Sequence, residues 1–333
     1  MLLVPKDTSC AEQSAHLIAI KDRLGIAFMS VSRTCTKSFA LLVLSATPPL
    51  AFAQDVQPMA FPFALEGTYN EIETKYIFGF TDGSDIGAEG EKAIELETNG
   101  AFRKRHGRYS AIEQEVEFEA VPTQFFAYEL SAHGMAHAIS GVDGLDDLHR
   151  VTPSGLSARF RYLLIGRGPG SPIGLTVTAE PEWSRVDGTS GIFTRSFGSN
   201  FKILADTELI PNRLFAAANL SYAPEIDKAV GEPVWTRSST FGTTGALAWR
   251  FTPKVTVGAE VEYFRAYESF GFKNFQGHAM YVGPTLHIQI TNKMMFAAAY
   301  STQVAGHAAG DDQPLDLANF SRHRARLRFE YEF

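Results

Sequence analysis

The sequence predicts an all-β fold, a transmembrane antiparallel up-and-down β-barrel of about twelve strands, and three observations carry that expectation. Segments of about ten residues recur in which apolar and polar side chains alternate, the period of a strand with two unlike faces. Short and long connections alternate between these segments. A leader of the export type precedes them all.

The leader is residues 1–53. Met29 opens "MSVSRTCTKSFALLVLSATPPLAFAQD", where Arg33 and Lys37 precede an apolar run from Phe39 to Phe52 that ends in Ala51-Phe52-Ala53. This is the form of a secretory signal peptide cleaved after Ala53. Pro48 and Pro49 argue against a core helix here. Residues 1–28 match no part of such a signal, which places the start of translation at Met29. Both cysteines, Cys10 and Cys35, lie in the leader, so the exported chain carries no disulfide framework. Removing the leader's five basic and three acidic residues from totals of 30 and 37 leaves 25 and 34, a net charge of −9. Such a balance disfavours nucleic acid as a partner. A hydrophobic content of 45% excludes disorder, and no apolar run after position 55 is long enough for a helical membrane span.

Residues 54–91 are expected to form an N-terminal segment that is periplasmic or folded into the lumen. Within it "KYIFGFT" (75–81) offers an alternative first strand, but thirteen strands would break the parity that keeps both chain ends on one side.

The barrel itself is assigned to residues 92–333. Its strands are expected at 92–103, 109–120, 125–133, 155–164, 173–183, 200–209, 214–222, 239–251, 256–266, 278–289, 294–303 and 321–333. In "YSAIEQEVEFEA", Glu113, Glu115, Glu117 and Glu119 share one parity while Ile112, Val116 and Phe118 share the other. "SGLSARFRYLL" sets Leu156, Phe160 and Tyr162 against Arg159 and Arg161. "IGLTVTAEPEW" sets Ile173, Leu175, Val177 and Trp183 against Glu180 and Glu182, and "TVGAEVEYF" sets Val257, Val261 and Tyr263 against Glu260 and Glu262. The closing "RHRARLRFEYEF" carries Arg322, Arg324, Arg326 and Arg328 on one face. Short turns (121–124, 166–172, 210–213, 252–254, 291–293) follow the even-numbered strands. Longer polar loops (134–154, 184–199, 223–238, 267–277, 304–320) follow most odd ones, the asymmetry of outer-membrane barrels.

Soluble sheets also alternate, so the choice of lipid over a protein core needs more. The apolar parity ends in aromatic residues such as Trp183, Trp249, Tyr222 and Phe333, as interfacial girdles do. The other parity carries too many charges for a dry core, so it is expected to line a lumen. The acidic lining is Glu95, Glu97, Glu113, Glu115, Glu117, Glu119, Glu180, Glu182, Glu260 and Glu262. The basic lining is Arg159, Arg161, Arg322, Arg324, Arg326 and Arg328. Closure is required, because an open edge in hydrocarbon would strand backbone N–H and C=O groups at several kcal/mol each. Closure also brings the last strand beside Glu95 and Glu97, and places Arg159 and Arg161 next to Glu180 and Glu182, as an ion-pair network.

"LRFEYEF" resembles the C-terminal signal of bacterial outer-membrane proteins, which implies that Phe329, Tyr331 and Phe333 are read by the barrel-assembly machinery. More broadly, "FTDGSDIGAEGEKAIELE", "HAMYVGPTLH" and the C-terminus make residues 75–333 similar to an uncharacterised family of proteobacterial outer-membrane barrels. That resemblance implies fold and location in the outer membrane of a Gram-negative cell, with the lipid bilayer, lipopolysaccharide and periplasmic chaperones as partners.

Candidate chemistry is sparse. "HGMAH" spaces His133 and His137 four apart, a metal spacing only on a helix. "GRGPGSPIG" imitates a phosphate loop, but prolines interrupt it and no helix follows. "DGSD" (82–85) and "DGLDD" (143–147) lack the spacing of a twelve-residue calcium loop and read as solvated turns. Ser140 near His137, and His278 with His287, form no evident nucleophile and base on one face. No catalytic residue, metal or cofactor is expected. About eight strands leave a filled interior and about sixteen an aqueous channel. Twelve therefore suggest a narrow pore for small polar or charged solutes. The alternative is a non-conducting structural or surface-contact barrel, and the third is a lipid-modifying enzyme.

Overall fold

The computed structural model describes residues 72–168 and 170–333; the leader and its cleavage site lie outside them. Twelve strands follow in chain order: β1 (Lys92–Phe102), β2 (Arg108–Thr123), β3 (Phe126–Ser140), β4 (Leu148–Ile165), β5 (Ile173–Val186), β6 (Phe193–Ile210), β7 (Leu214–Ala229), β8 (Thr236–Thr252), β9 (Val255–Tyr267), β10 (Phe275–Thr291), β11 (Met294–Ala308) and β12 (His323–Glu332). Each pairs antiparallel with its sequence neighbours, and β12 returns to β1, so the sheet closes on itself. At the seam Ala93 faces Glu332 and Phe102 faces His323. The Phe333 N–H donates to the Lys92 carbonyl at 2.9 Å, so pairing reaches the last residue.

The two faces of the wall reverse the usual rule for water-soluble proteins. Outward side chains are apolar and exposed, with Leu247 at 52% and Ile203 at 47%. Inward ones are charged and buried, with Glu129 at 0%, Arg161 at 1% and Glu262 at 1%. Aromatic residues mark both rims of the outer band. Phe125, Trp249, Phe251 and Phe333 stand at the short-turn end, and Trp183, Phe193 and Trp235 at the other.

The expected strands match the centres of the observed ones, but most run further at the long-loop end. The third continues to Ser140, and the fourth begins at Leu148 instead of 155. Connections at that end shrink accordingly, to 141–147, 187–192, 230–235, 268–274 and 309–322, while the first stays at five residues, 103–107. On β2 and β3 the cause lies in the inner face, which there turns apolar. Tyr109, Ala111, Met135, Ile139 and Val142 pack together with Ala101, Leu145 and Leu148. The period of two persists there while the inner parity loses its charges, so the charged-inside alternation stops where the backbone pairing does not. At the other end the turns stay tight, and Asn212 takes the left-handed conformation (φ 55°) that Asn tolerates. Residues 75–80 form turns, not a further strand, and the barrel keeps both ends on the short-turn side.

Candidate functional site

The described part of the N-terminal segment, residues 72–91, enters the barrel from the short-turn end, folds back on itself and returns to Lys92. Its neck is closed by the Gly83 N–H donating to the Lys75 carbonyl at 3.0 Å. The Asp85 carboxylate clasps Thr74, accepting from its N–H at 2.7 Å and its hydroxyl at 2.8 Å. Apolar residues of the loop fill gaps left by small inward side chains. Ile72, Ile77 and Phe78 pack on Phe215, Ala217, Ala246 and Ala248, Tyr76 packs on Met295 and Ala297, and Ile86 packs on Val121 and Ala127. Gly79 is required at the turn: its φ is +88°, and a methyl group there would collide with Thr285, Glu260 and Ala299.

Polar groups then tie this loop to the wall on all sides. Glu260 accepts from the N–H groups of Phe80 at 2.9 Å and Thr81 at 2.9 Å. Asn219 receives the Asp82 N–H at 2.7 Å and donates its amide to the Asp82 carbonyl at 2.8 Å. Lys202 pairs with the Asp82 carboxylate at 2.8 Å. Burial alone would raise the Asp82 carboxyl, but Lys202, Arg328, Arg161 and Arg326 outweigh it and hold the group far below the usual carboxylate range. At the neck, Arg167 of the β4–β5 turn bridges Asp206 at 2.5 Å and Asp85 at 3.3 Å. Lys75 pairs with Glu119 and lies 3.5 Å from Glu129. Burial pulls its ammonium down, yet these carboxylates win and raise it above the ordinary lysine value.

The residues named from the sequence fall into three sets. In the first, Arg159 holds Glu129 at 2.6 Å and Glu180 at 3.0 Å, with Glu117 at 3.6 Å. Arg328 holds Glu95 at 2.6 Å and also Glu97, which Arg326 reaches at 3.2 Å. Glu115 is buried in the same inner row. In the second set the inner-face arginines contact the loop itself. Arg161 donates to the Gly83 and Asp85 carbonyls at 3.2 Å, and Arg326 donates to the Gly79 carbonyl at 3.3 Å. Arg324 and Arg326 flank the Phe80 ring at 4.3 and 4.7 Å. The third set lies toward the long-loop end: Glu113 stands 3.4 Å from His133, and Glu182 is exposed beside an internal chamber.

Four expectations need correction. Arg322 precedes β12 and is exposed, so it stands outside the inner wall. Arg161 sits opposite Thr178 and turns to Glu129 at 3.6 Å, not to Glu180 or Glu182. Arg324 pairs with Glu262 on β9 and not with the neighbouring acidic rows, because its register partners are Ala101 and Ser301. "DGSD", expected as a solvated turn, is enclosed by the barrel. Sequence reasoning missed Glu129, Arg167, Lys202, Asp206 and Asn219. Glu129 did carry the signal, as the polar residue between Tyr128 and Leu130; the others acquire a role only through the loop.

The remaining motifs separate. His133 contacts Ser157 at 3.0 Å while His137 contacts the Gly188 carbonyl at 3.0 Å, two pleats apart on an extended strand. His287 is buried in the wall, whereas His278 stacks among Phe275, Tyr263 and His307. "GRGPGSP" is the β4–β5 connection that carries Arg167. "DGLDD" lies exposed at the long-loop end, with Asp143 2.5 Å from His106.

A family model described as "Family of unknown function (DUF6662)" matches residues 70–333. No curated protein sequence matches the chain. Among solved structures, an outer membrane channel from Pseudomonas putida F1 is 11% identical, with a TM-score of 0.49 over 75% of this chain and 98% of its own. The beta domain of the Bordetella autotransporter BrkA is 12% identical, with a TM-score of 0.47 over 74% and 100%. The KdgM porin in complex with disordered oligogalacturonate is 11% identical, with a TM-score of 0.42 over 72% and 99%. Identity this low transfers no chemistry from those proteins.

Proposed function

The chain belongs to this family of unknown function, and since membership assigns no activity, we propose from its own residues that it is an outer-membrane pore for small polar or charged solutes, closed by a loop inside it. The observation that carries this reading is the inverted wall. Its buried inner face holds ionisable side chains and its exposed outer face is apolar. Charges on an inner surface are useful only where water or a solute meets them, because a purely structural core of the same size is more cheaply built from apolar residues. The short-turn end, with both chain ends, is the periplasmic side, and the loop ends face outward.

In this reading residues 72–91 occupy the periplasmic half of the lumen and passage requires their displacement. Beside its apolar packing, this loop is held by hydrogen bonds and ion pairs, which exchange with water and solute more readily than a packed apolar core. A specific observation also favours the second reading, a non-conducting barrel: the wall grips the loop on every side, from Glu260 and Asn219 to Lys202 and Arg161. Single-channel recording in planar bilayers separates the two. Step currents support the pore, and their absence at any voltage, for the whole chain and for a chain lacking residues 72–91, supports the non-conducting barrel.

We further assign Phe329, Tyr331 and Phe333 to recognition by the barrel-assembly machinery, after escort by periplasmic chaperones. The outer band then meets the lipid bilayer and lipopolysaccharide. Phe333 is exposed at the end of β12, where a partner strand can reach it.

A further inference from the structure

Toward the long-loop end, above the inserted loop, the lumen widens into a chamber of about 420 Å³ bounded by β2 to β8 and by the β5–β6 connection. That connection folds inward: the Tyr109 hydroxyl donates to the Thr189 carbonyl at 3.0 Å, and His137 holds Gly188. Four carboxylates line the chamber, Glu113, Glu182, Asp187 and Glu225, and no Lys or Arg lines it. This departs from the lower lumen, where guanidinium groups answer the carboxylates. Cations act on these carboxylates from beyond the lining: His133 stands 3.4 Å from Glu113 and near Glu182, and Lys104 lies on the Asp187 side.

The hydroxyl content is equally unusual. Ser154, Ser184, Ser196 and Ser238 lie on the same surface with Asn200. Ser154 is 3% exposed, and its hydroxyl has no hydrogen-bond partner among the described residues; the Asn200 amide oxygen lacks one too. A buried hydroxyl left unpaired costs on the order of 1–3 kcal/mol, so a group aimed into a cavity without a partner marks a place for one. A single metal ion does not meet these demands. Among the described residues, the acidic trios close enough to share one ion are Glu73, Glu91, Glu332 and Glu117, Glu119, Glu129, none of them here. The carboxylates are spread around the chamber, which suits a ligand with extent.

We propose that this chamber binds a small hydroxylated organic cation, such as an amino sugar, with its ammonium among Glu182, Glu225 and Asp187 and its hydroxyls on Ser154 and Asn200. A low-dielectric wall focuses the field of carboxylates that no lining Lys or Arg answers, and concentrates cations at the mouth of the lumen. The inference deepens the pore reading by naming a solute class, but its test does not depend on conductance.

The test is isothermal titration of the full-length, detergent-purified protein with three probes of similar size: glucosamine, N-acetylglucosamine and glucuronate. Glucosamine is expected to bind at least about tenfold more tightly than either of the others. The double variant Glu182→Gln/Glu225→Gln is expected to lose about tenfold in glucosamine affinity, and Ser154→Val a few-fold, with heat-modifiable gel mobility showing that each variant still folds. Equal binding of glucosamine and N-acetylglucosamine, an unchanged double variant, or no glucosamine binding would each overturn the proposal. Binding without step currents would keep this inference and remove the pore; step currents without binding would do the reverse.

Discussion

The guanidinium of Arg328 lies 3.7 Å from the centre of the Tyr76 ring while pairing with Glu95 at 2.6 Å and with Glu97. One side chain of the last strand thus joins the barrel seam to the loop inside it. Removing it leaves buried Glu95 without its ion-pair partner, Glu97 with Arg326 alone, and an aromatic ring without its cover. Arg328→Ala is expected to cost about 3–5 kcal/mol, the usual penalty for breaking a buried pair. Urea titration in detergent micelles measures it. Arg328→Lys is expected to recover only part, because an ammonium cannot serve two carboxylates and a ring face at once.

Docking of the loop has a defined pH dependence through Asp82. Its carboxyl is held far below the ordinary value, so its contribution is complete above the unfolded value near 4 and is lost only as pH falls through the much lower folded value. The loop is therefore expected to stay docked from neutral pH well into acid. Asp82→Asn mimics the protonated form and is expected to free the loop at pH 7. Protease cleavage within residues 72–91 reports this: rapid cleavage of the variant against slow cleavage of the parent is the expected outcome.

Lys104, in the β1–β2 connection, behaves oppositely. Burial lowers its ammonium to about 8, against the smaller upward pull of Asp316 and Asp187. Since the unfolded chain holds that proton up to about 10.4, stability contributed here rises with pH between about 8 and 10.4. Its hydrogen bonds to the Ala318 and Phe320 carbonyls, at 3.0 and 3.1 Å, need only N–H donors and survive loss of the charge. Thermal unfolding scans from pH 7 to 10 should show this rise in the parent and its loss in Lys104→Met.

The outer wall is tested by single charges. Leu247→Arg and Ile203→Arg place a guanidinium in the apolar band, with an expected cost of about 2–4 kcal/mol near its middle. Phe251→Arg, at the rim, should cost about 1 kcal/mol or less. Folding into phospholipid vesicles, followed by gel mobility, distinguishes this depth dependence from a uniform penalty, which a protein-covered face would give.

The fold was largely legible because membrane strands write both faces into the chain: wherever lipid lies outside and charge inside, as from Glu113 to Glu119, alternation is unbroken. Legibility failed in two physical situations. Above the lipid the inner face of β2 and β3 becomes apolar, so "HGMAHAIS" reads as a loop although Met135 and Ile139 continue β3. Inside the lumen, residues 72–91 follow no period, because each residue answers a different part of the wall. The ion pairs of Arg159 with Glu180 and of Arg328 with Glu95 follow from strand adjacency alone. The partners of Arg324 and Arg161 do not, since neither faces a carboxylate in register. Lys202 and Asp206 showed only as polar-face residues until Asp82 and Arg167 gave them partners.

The most direct measurement uses the absence of cysteine from residues 54–333. The hydroxyls of Thr81 and Thr244 lie 3.0 Å apart, on the loop and on the wall, so Thr81→Cys/Thr244→Cys should form a disulfide that pins the loop in place. Single-channel recording of this variant is expected to show a silent protein when oxidised and step currents after reduction. Step currents of equal size and frequency in both states, or silence in both, would contradict a pore closed by this loop.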